Sequence, residues 1–273
     1  MGIKTLFFIL LFILSLNANE RIISLSPSIT EIIYALGSGG NLVATSTYSL
    51  YPKEAKTLPV VGGYENPNFE KILSFKPDLV VGQEFNQKTL QKLEHFGIKT
   101  LQLNLKRLKT IKQSIKKLAL KLNKNPDKLI SDINKAINDA KKNKTPHSVM
   151  IVYGLREDLR SGIYIAGHNI FFEDIIKECG NTNAYTSKMT DQPSLSYENI
   201  IALNPQQIII LHSHATEPNV DVKKALKAWM SIPTSASKHN HISIVDEDYL
   251  HIPSQRVALT IKRLCTEMYF DKN

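Results

Sequence analysis

PDKLISDINKAINDAKKN, running from Pro126 to Asn143, decides how this chain is read. Leu129, Ile130, Ile133, Ala136, Ile137 and Ala140 recur at helical spacing and form one apolar face. Asn125 can cap the start, Pro126 suits the first helical position, and Lys141 and Lys142 sit at the negative end of the helix dipole. A helix of that length spans about 27 Å, the width of a small domain. Its importance lies in its neighbours, because the sequence on either side repeats.

FEKILSFKPDLVV (Phe69 to Val81) and YENIIALNPQQII (Tyr197 to Ile209) share one order: aromatic, Glu, polar, Ile, a short apolar run, Pro, strand. Upstream of each lies a short helix stopped by glycine, SITEIIYALG (Ser28 to Gly37) and NIFFEDIIKECG (Asn169 to Gly180). Helix, proline break and strand recurring together predict two similar lobes joined by a strut. The division expected is 1–18, 19–125, 126–144 and 145–273: leader, amino-terminal lobe, linking helix and carboxyl-terminal lobe.

The first residues are expected to be a leader that is removed on export. A basic start, an apolar run from Thr5 to Leu16 and the small-residue stretch Leu16-Asn17-Ala18 match a secretory signal peptide. A dozen apolar residues are too few to span a bilayer. No cysteine stands near the cleavage point to carry a lipid, so a periplasmic product is expected.

A net charge of +9 raises the question of nucleic acid, and its distribution argues against that partner. Between Lys106 and Lys144 stand 13 Lys and Arg against 3 Asp, a net +10, so the rest of the chain carries −1. The excess sits on two amphipathic helices, Thr110 to Leu122 and the Pro126 stretch, whose polar faces need solvation. No aromatic residues interleave with it, as a single-strand binder requires. Cys179 and Cys265 are the only cysteines. In an exported protein such a pair is either a disulfide or two buried thiols.

Helix and strand patterns alternate through both halves, which predicts α/β lobes with mainly parallel sheets. Ligands of such sheets gather at the carboxyl ends of the strands. Those ends carry Tyr48, Tyr64, Tyr153, His212 and Tyr249, and two lobes on a strut imply a ligand cleft between them.

SLSPSITEIIYALG, STYSLYPKEA, the FEKILSFKPDLVVG segment, AGHNIFFEDIIKECG and the closing SQRVALTIKRLC together resemble the periplasmic binding proteins of cobalamin and ferric-chelate importers. The likeness covers nearly the whole mature chain and is nearest the cobalamin-binding members. It implies a helical-backbone fold, no catalysis, no resident cofactor, and a monomer delivering cargo to the permease dimer of an ABC transporter. Glu70 and Glu198 match the glutamates by which such proteins dock onto permease arginines; alternatively each only complements its helix dipole. Tyr48 matches a cleft tyrosine, Tyr64 stands where the cobalamin binder has tryptophan, and Tyr153 joins them. Tyr249, Leu250, His251, Ile252 and Pro253 match the loop that closes over the ligand, with Tyr249 replacing a tryptophan and the rest more apolar than the pattern. Cys179 and Cys265 match the family's bonded pair.

Cobalamin or a related metal chelate is therefore the expected cargo. A ferric siderophore would need Arg156, Arg160 and Arg256 in the cleft. Haem would need an axial ligand such as Tyr64, His168 or His251. A small nickel or iron chelate completed by one histidine is the remaining alternative within the family. From another class, an exported metal-dependent hydrolase rests on His212-Ser213-His214 with Asp246, Glu247 and Asp248. Histidines two apart on a loop are a weak metal signature, and no His-Glu-x-x-His or nucleophile-elbow pattern occurs.

Overall fold

The computed structural model describes residues 20–189, 191–213 and 220–269. The leader expected over residues 1–18 lies outside them, and so does His214. The chain divides into two compact units, 1–103 and 104–273.

In the first unit four parallel strands follow the order β2-β1-β3-β4: β1 Ile22–Ser24, β2 Leu42–Ala44, β3 Leu79–Gln83 and β4 Lys99–Leu103. β1 is buried along its whole length and β3 over its first four residues, as strands covered on both faces must be. Arg21 sets the start of β1 beside β3: its amide donates to the Asp78 carboxylate at 2.8 Å and its guanidinium to the Phe75 carbonyl at 2.8 Å. Helix α1 (Pro27–Ala35) begins at Pro27, with Ser26 in the capping position. Ser28 and Thr30 are buried inside it. Gly37 ends the turn after α1 at φ +74°, a conformation that favours glycine. Helices α2 (Phe69–Ser74) and α3 (Gln87–His95) complete the unit. One apolar cluster joins Ile23, Val80, Ile72, Leu90 and Leu93.

The second unit has a parallel sheet in the order β10-β9-β5-β7, built from β5 Ser148–Tyr153, β7 Thr182–Asn183, β9 Gln207–His212 and β10 Ile242–Asp246. An antiparallel pair, β6 Ile163–Tyr164 and β8 Ser194–Leu195, is added. Its helices are α4 Leu108–Lys121, α5 Asp127–Asn138, α6 Phe171–Glu178, α7 Tyr197–Leu203, α8 Val222–Met230, α9 Ser235–Lys238 and α10 Val257–Glu267. Trp229 is almost fully buried in a cluster with Ile208, Ile210, Met150 and Val152.

The repeat is real at the backbone. α2 leads to β3 and α7 to β9 at the same offset, and Lys76 and Asn204 at the two breaks share the left-handed conformation, φ 46° and 45°.

The decisive stretch departs from expectation in extent. α5 covers Asp127–Asn138, about 18 Å, with Asn125 Oδ1 accepting the Asp127 amide at 2.7 Å and Pro126 one place before the helix. Ile133 and Ala136 are fully buried on the predicted face, and α5 packs along α10. The helix does not reach Asn143 because that residue is committed elsewhere. Its amide donates to the Cys179 carbonyl at 3.0 Å, and its side chain donates to Asn181 Oδ1 and the Met268 carbonyl. Gly180 makes room for it: a β-carbon there would stand 2.7 Å from the Asn143 carbonyl oxygen, at a φ of +78°. Both basic helices, α4 and α5, belong to the second unit.

Candidate functional site

In the first unit the carboxyl ends of β2 and β3 carry exposed aromatic side chains on a hydrogen-bonded base. Thr45, just past β2, meets Thr30 Oγ1 at 2.7 Å and donates to Ser49 Oγ at 2.8 Å. Ser24, at the end of β1, accepts from Thr30 Oγ1 at 2.9 Å. All four hydroxyl residues are buried, so the loop between Thr45 and Ser49 is pinned at both ends. Tyr48 lies between them at φ +63° and is 59% exposed, with Leu50 and Tyr51 exposed beside it in sequence. A large side chain displayed on a rigid loop is costly in water and suits a ligand face.

At β3 the anchor is Asn86, only 1% exposed. Its Oδ1 accepts the Gln83 amide at 2.9 Å and its Nδ2 donates to the Tyr64 carbonyl at 2.7 Å. Tyr64 is thereby held edge-on to Phe85 with ring centroids 5.6 Å apart. Burial and the neighbouring Glu65 raise the Tyr64 phenol above its usual pKa. Phe85, Leu50 and Asn86 were not picked out by sequence reasoning. Phe85 lies two residues past the end of β3, so the strand-end rule applied residue by residue finds it; Asn86 carries no such signal.

In the second unit Tyr153 closes β5. Its ring is edge-on to Phe172 at 5.6 Å and tilted against His251 at 5.8 Å. Burial pushes its phenol far above the ordinary value despite a hydrogen bond with the Gln192 side chain, so the hydroxyl stays neutral. The structure thus brings Tyr153 and His251 together. Arg256, 8% exposed, lies 5.8 Å from the Tyr249 ring and donates to Asp248 at 2.9 Å. Ile252 and Pro253 are half-buried. Leu250 does not belong with them: it is 0% exposed. The turn that bonds Ile252 N to Tyr249 O at 3.1 Å directs this one apolar residue inward as the loop's anchor.

The other arginines are engaged locally. Arg160 pairs with Asp158 at 2.9 Å, and Arg156 donates to the Gly162 carbonyl at 3.2 Å.

His168 lies in the loop before α6. Its Nδ1 is 2.9 Å from Glu173 Oε1, and its ring is 5.7 Å from that of Tyr185. Glu173 also accepts from the Asn169 amide at 3.0 Å and pairs with Lys177 at 3.2 Å and Arg107 at 3.1 Å. Burial alone would raise this carboxyl, but the bonds from His168, Asn169 and Lys177 outweigh it and hold the pKa down to about 2. Arg107 also makes a bidentate pair with Asp174, whose other contact is the Leu108 amide at 2.9 Å.

His212, the basis of a hydrolase reading, is 2% exposed at the end of β9, in register with Asp246. Among the described residues no three His, Cys, Asp or Glu side chains are placed to hold a metal ion. Glu70 and Glu198 are exposed at the second position of α2 and α7, behind side-chain caps Asn68 and Ser196. A hydrogen bond with Ser196 lowers the Glu198 pKa.

The sequence pattern of the periplasmic binding proteins matches residues 22–249. The chain belongs to that family. It is 33% identical to the vitamin B12-binding protein of Vibrio vulnificus over 94% of this chain and 93% of the relative. Among solved structures, the periplasmic vitamin B12 binding protein of Vibrio cholerae superposes with a TM-score of 0.68 at 27% identity, covering 91% of this chain and 96% of its own. The apo periplasmic haem-binding protein of Roseiflexus sp. RS-1 reaches 0.76 at 26% identity, covering 92% and 98%. Membership accounts for the repeated α/β units and the expected fold class. Among the described residues no helix of this family member is long and apolar enough to cross a membrane.

Proposed function

We propose that this chain is the solute-binding protein of an ABC importer and carries cobalamin, or a closely related metal macrocycle, in the periplasm. The observation behind this reading is the set of aromatic side chains at the carboxyl ends of the strands: Tyr48, Tyr51, Tyr64 and Phe85 in one unit, Tyr153 and Tyr249 in the other. Flat rings cover the apolar faces of a macrocycle while phenol hydroxyls bond its polar rim. The reading is strengthened by the vitamin B12-binding relatives. Arg156, Arg160 and Arg256 each have an acceptor within the protein, which disfavours a polyanionic siderophore. Haem is the second reading, supported by the Roseiflexus structure and by His168.

In this reading the chain performs no chemistry and needs no cofactor of its own. Residues 1–18 direct export and are removed, the protein acts as a monomer, and Glu70 and Glu198 dock onto the permease. Calorimetric titration of the purified mature protein with cyanocobalamin, haemin and a ferric siderophore tests it. Saturable one-to-one binding of cyanocobalamin is expected; binding of none of the three overturns the proposal.

A further inference from the structure

What α4 presents to water is set by what it buries. Leu108, Ile111, Ile115, Leu118 and Ala119 face inward and are buried. Ser114, also buried, donates to the Asn104 carbonyl at 2.7 Å and accepts the Asn104 amide at 3.1 Å. At the start of the helix the Arg107 side chain and the Leu108 amide both bond to Asp174, at 2.9 Å each. At its end the Lys124 amide returns to the Ala119 carbonyl at 2.8 Å, past Asn123 at φ +52°. The roll of the helix is therefore fixed.

The outward face carries Lys109, Lys112, Lys116, Lys117 and Lys121, and Lys124 follows just past the helix. From Lys106 to Pro126 there are 8 Lys and Arg and no Asp or Glu. Lys112 bonds to the neutral Asn134 side chain at 2.9 Å. Among the described residues no carboxylate pairs with Lys109, Lys116, Lys121 or Lys124, whereas Lys128 on α5 is held by Asp132 at 2.9 Å. Asp127 and Asp139 share a groove with Lys116 on the α5 side, and Lys117 and Lys121 lie on the other side of Leu120. Leu120 stands one turn from Lys116, Lys117 and Lys124 and is 84% exposed. A single exposed leucine is ordinary. Ringed by lysines on a helix without an acid, it matches the layering of an anionic bilayer, with phosphates at the surface and hydrocarbon beneath.

We propose that this face of α4 docks onto a bilayer surface of anionic phospholipid, its lysines meeting the headgroup phosphates and Leu120 entering between them. Each lysine near such a surface strengthens association about fivefold, so a handful suffices for reversible binding. Nucleic acid offers the same phosphates without the hydrocarbon layer that Leu120 fits, and no aromatic residue stands on the face to stack on bases. Binding to the bilayer does not depend on which cargo the protein carries. Its use rests on the importer reading above: it keeps the carrier in the layer where its permease lies.

Flotation of the mature protein with lipid vesicles tests this. Vesicles of equal parts phosphatidylglycerol and phosphatidylcholine should carry the protein up the gradient, and pure phosphatidylcholine vesicles should leave it behind. Raising the salt from about 0.05 to 0.5 M should weaken the binding about tenfold or more. K109Q/K116Q/K121Q should lose about tenfold or more, and L120A about fivefold, each with the fold intact by circular dichroism. K53Q/K56Q/K99Q removes the same charge from exposed sites elsewhere and should bind within about twofold of wild type. No binding to phosphatidylglycerol vesicles, an equal loss in the two lysine variants, or an unaffected L120A overturns the proposal. Tighter binding of a DNA duplex than of the vesicles at the same salt marks a nucleic-acid surface and overturns it too.

Discussion

Cys179, at the carboxyl end of α6, is bonded to Cys265 on α10, with their Cα atoms 5.0 Å apart. The bond closes a loop of 86 residues that includes β7, β9 and β10. Both sulfurs are buried, and the Asn143 amide ends on the Cys179 carbonyl, so α6, α10 and the segment after α5 meet at one place. On a chain-entropy view a loop of this size is worth about 4–5 kcal/mol, and about 2–5 kcal/mol is the usual measured loss. The double variant C179A/C265A should show that loss in urea unfolding. An unchanged midpoint would mean that the bond adds nothing to the packing around it.

Acid should find Glu173 before it finds the hydrophobic core. Its folded pKa of about 2 lies below the unfolded value of 4.5. A depressed carboxyl contributes stability that is fully present above the unfolded pKa and is lost as pH falls through the folded one. Between about pH 4.5 and 2 the wild type should therefore lose stability more steeply than E173Q. Thermal melts across that range measure it; parallel pH profiles would show that the His168, Asn169 and Lys177 bonds do not hold the charge.

Two neighbouring kinds of residue should fail in opposite ways. Leu250 is fully buried, and L250A should cost about 2–5 kcal/mol of stability through the cavity it leaves. Tyr48 and Tyr64 are exposed, and Y48A or Y64A should change stability by less than about 0.5 kcal/mol. Each should nevertheless weaken cobalamin binding by about tenfold, the loss of one stacked ring. Denaturant unfolding beside ligand titration separates the two classes, and an unaffected affinity in both tyrosine variants would show that neither ring holds the ligand.

Glu70 and Glu198 occupy equivalent places in the repeat and make no contribution to either core. The double variant E70A/E198A should bind cobalamin as the wild type does and lose little stability, since only the two helix dipoles are affected. Uptake of labelled cobalamin by cells carrying the importer should fall more than tenfold. Undiminished uptake would reduce both glutamates to helix-end charges.

The fold was legible in the sequence because it is written twice. Glu-x-Ile followed by an apolar run, proline and a strand marks both α2–β3 and α7–β9, and even the left-handed break recurs at Lys76 and Asn204. The carboxyl-edge rule located Tyr48, Tyr64 and Tyr153 because side-chain position at a strand end follows from chain order. What stayed hidden depends on contacts distant in sequence. The early end of α5 is set by Asn143 meeting Cys179 and Met268, and periodicity through Ala140 carries no trace of it. Leu250 looked like part of an apolar ligand loop because a turn residue facing inward and one facing outward have the same composition. His168 was visible as a histidine, but its bond to Glu173 was not, because Glu173 reads in the sequence as one more helix-start acid.

Native mass spectrometry of the purified mature protein with cyanocobalamin tests the central claim most directly. The account predicts one added cyanocobalamin per chain, reduced in the Y48A/Y64A variant at the same concentrations. A spectrum that keeps only the unliganded mass under conditions where the fold is intact would contradict it.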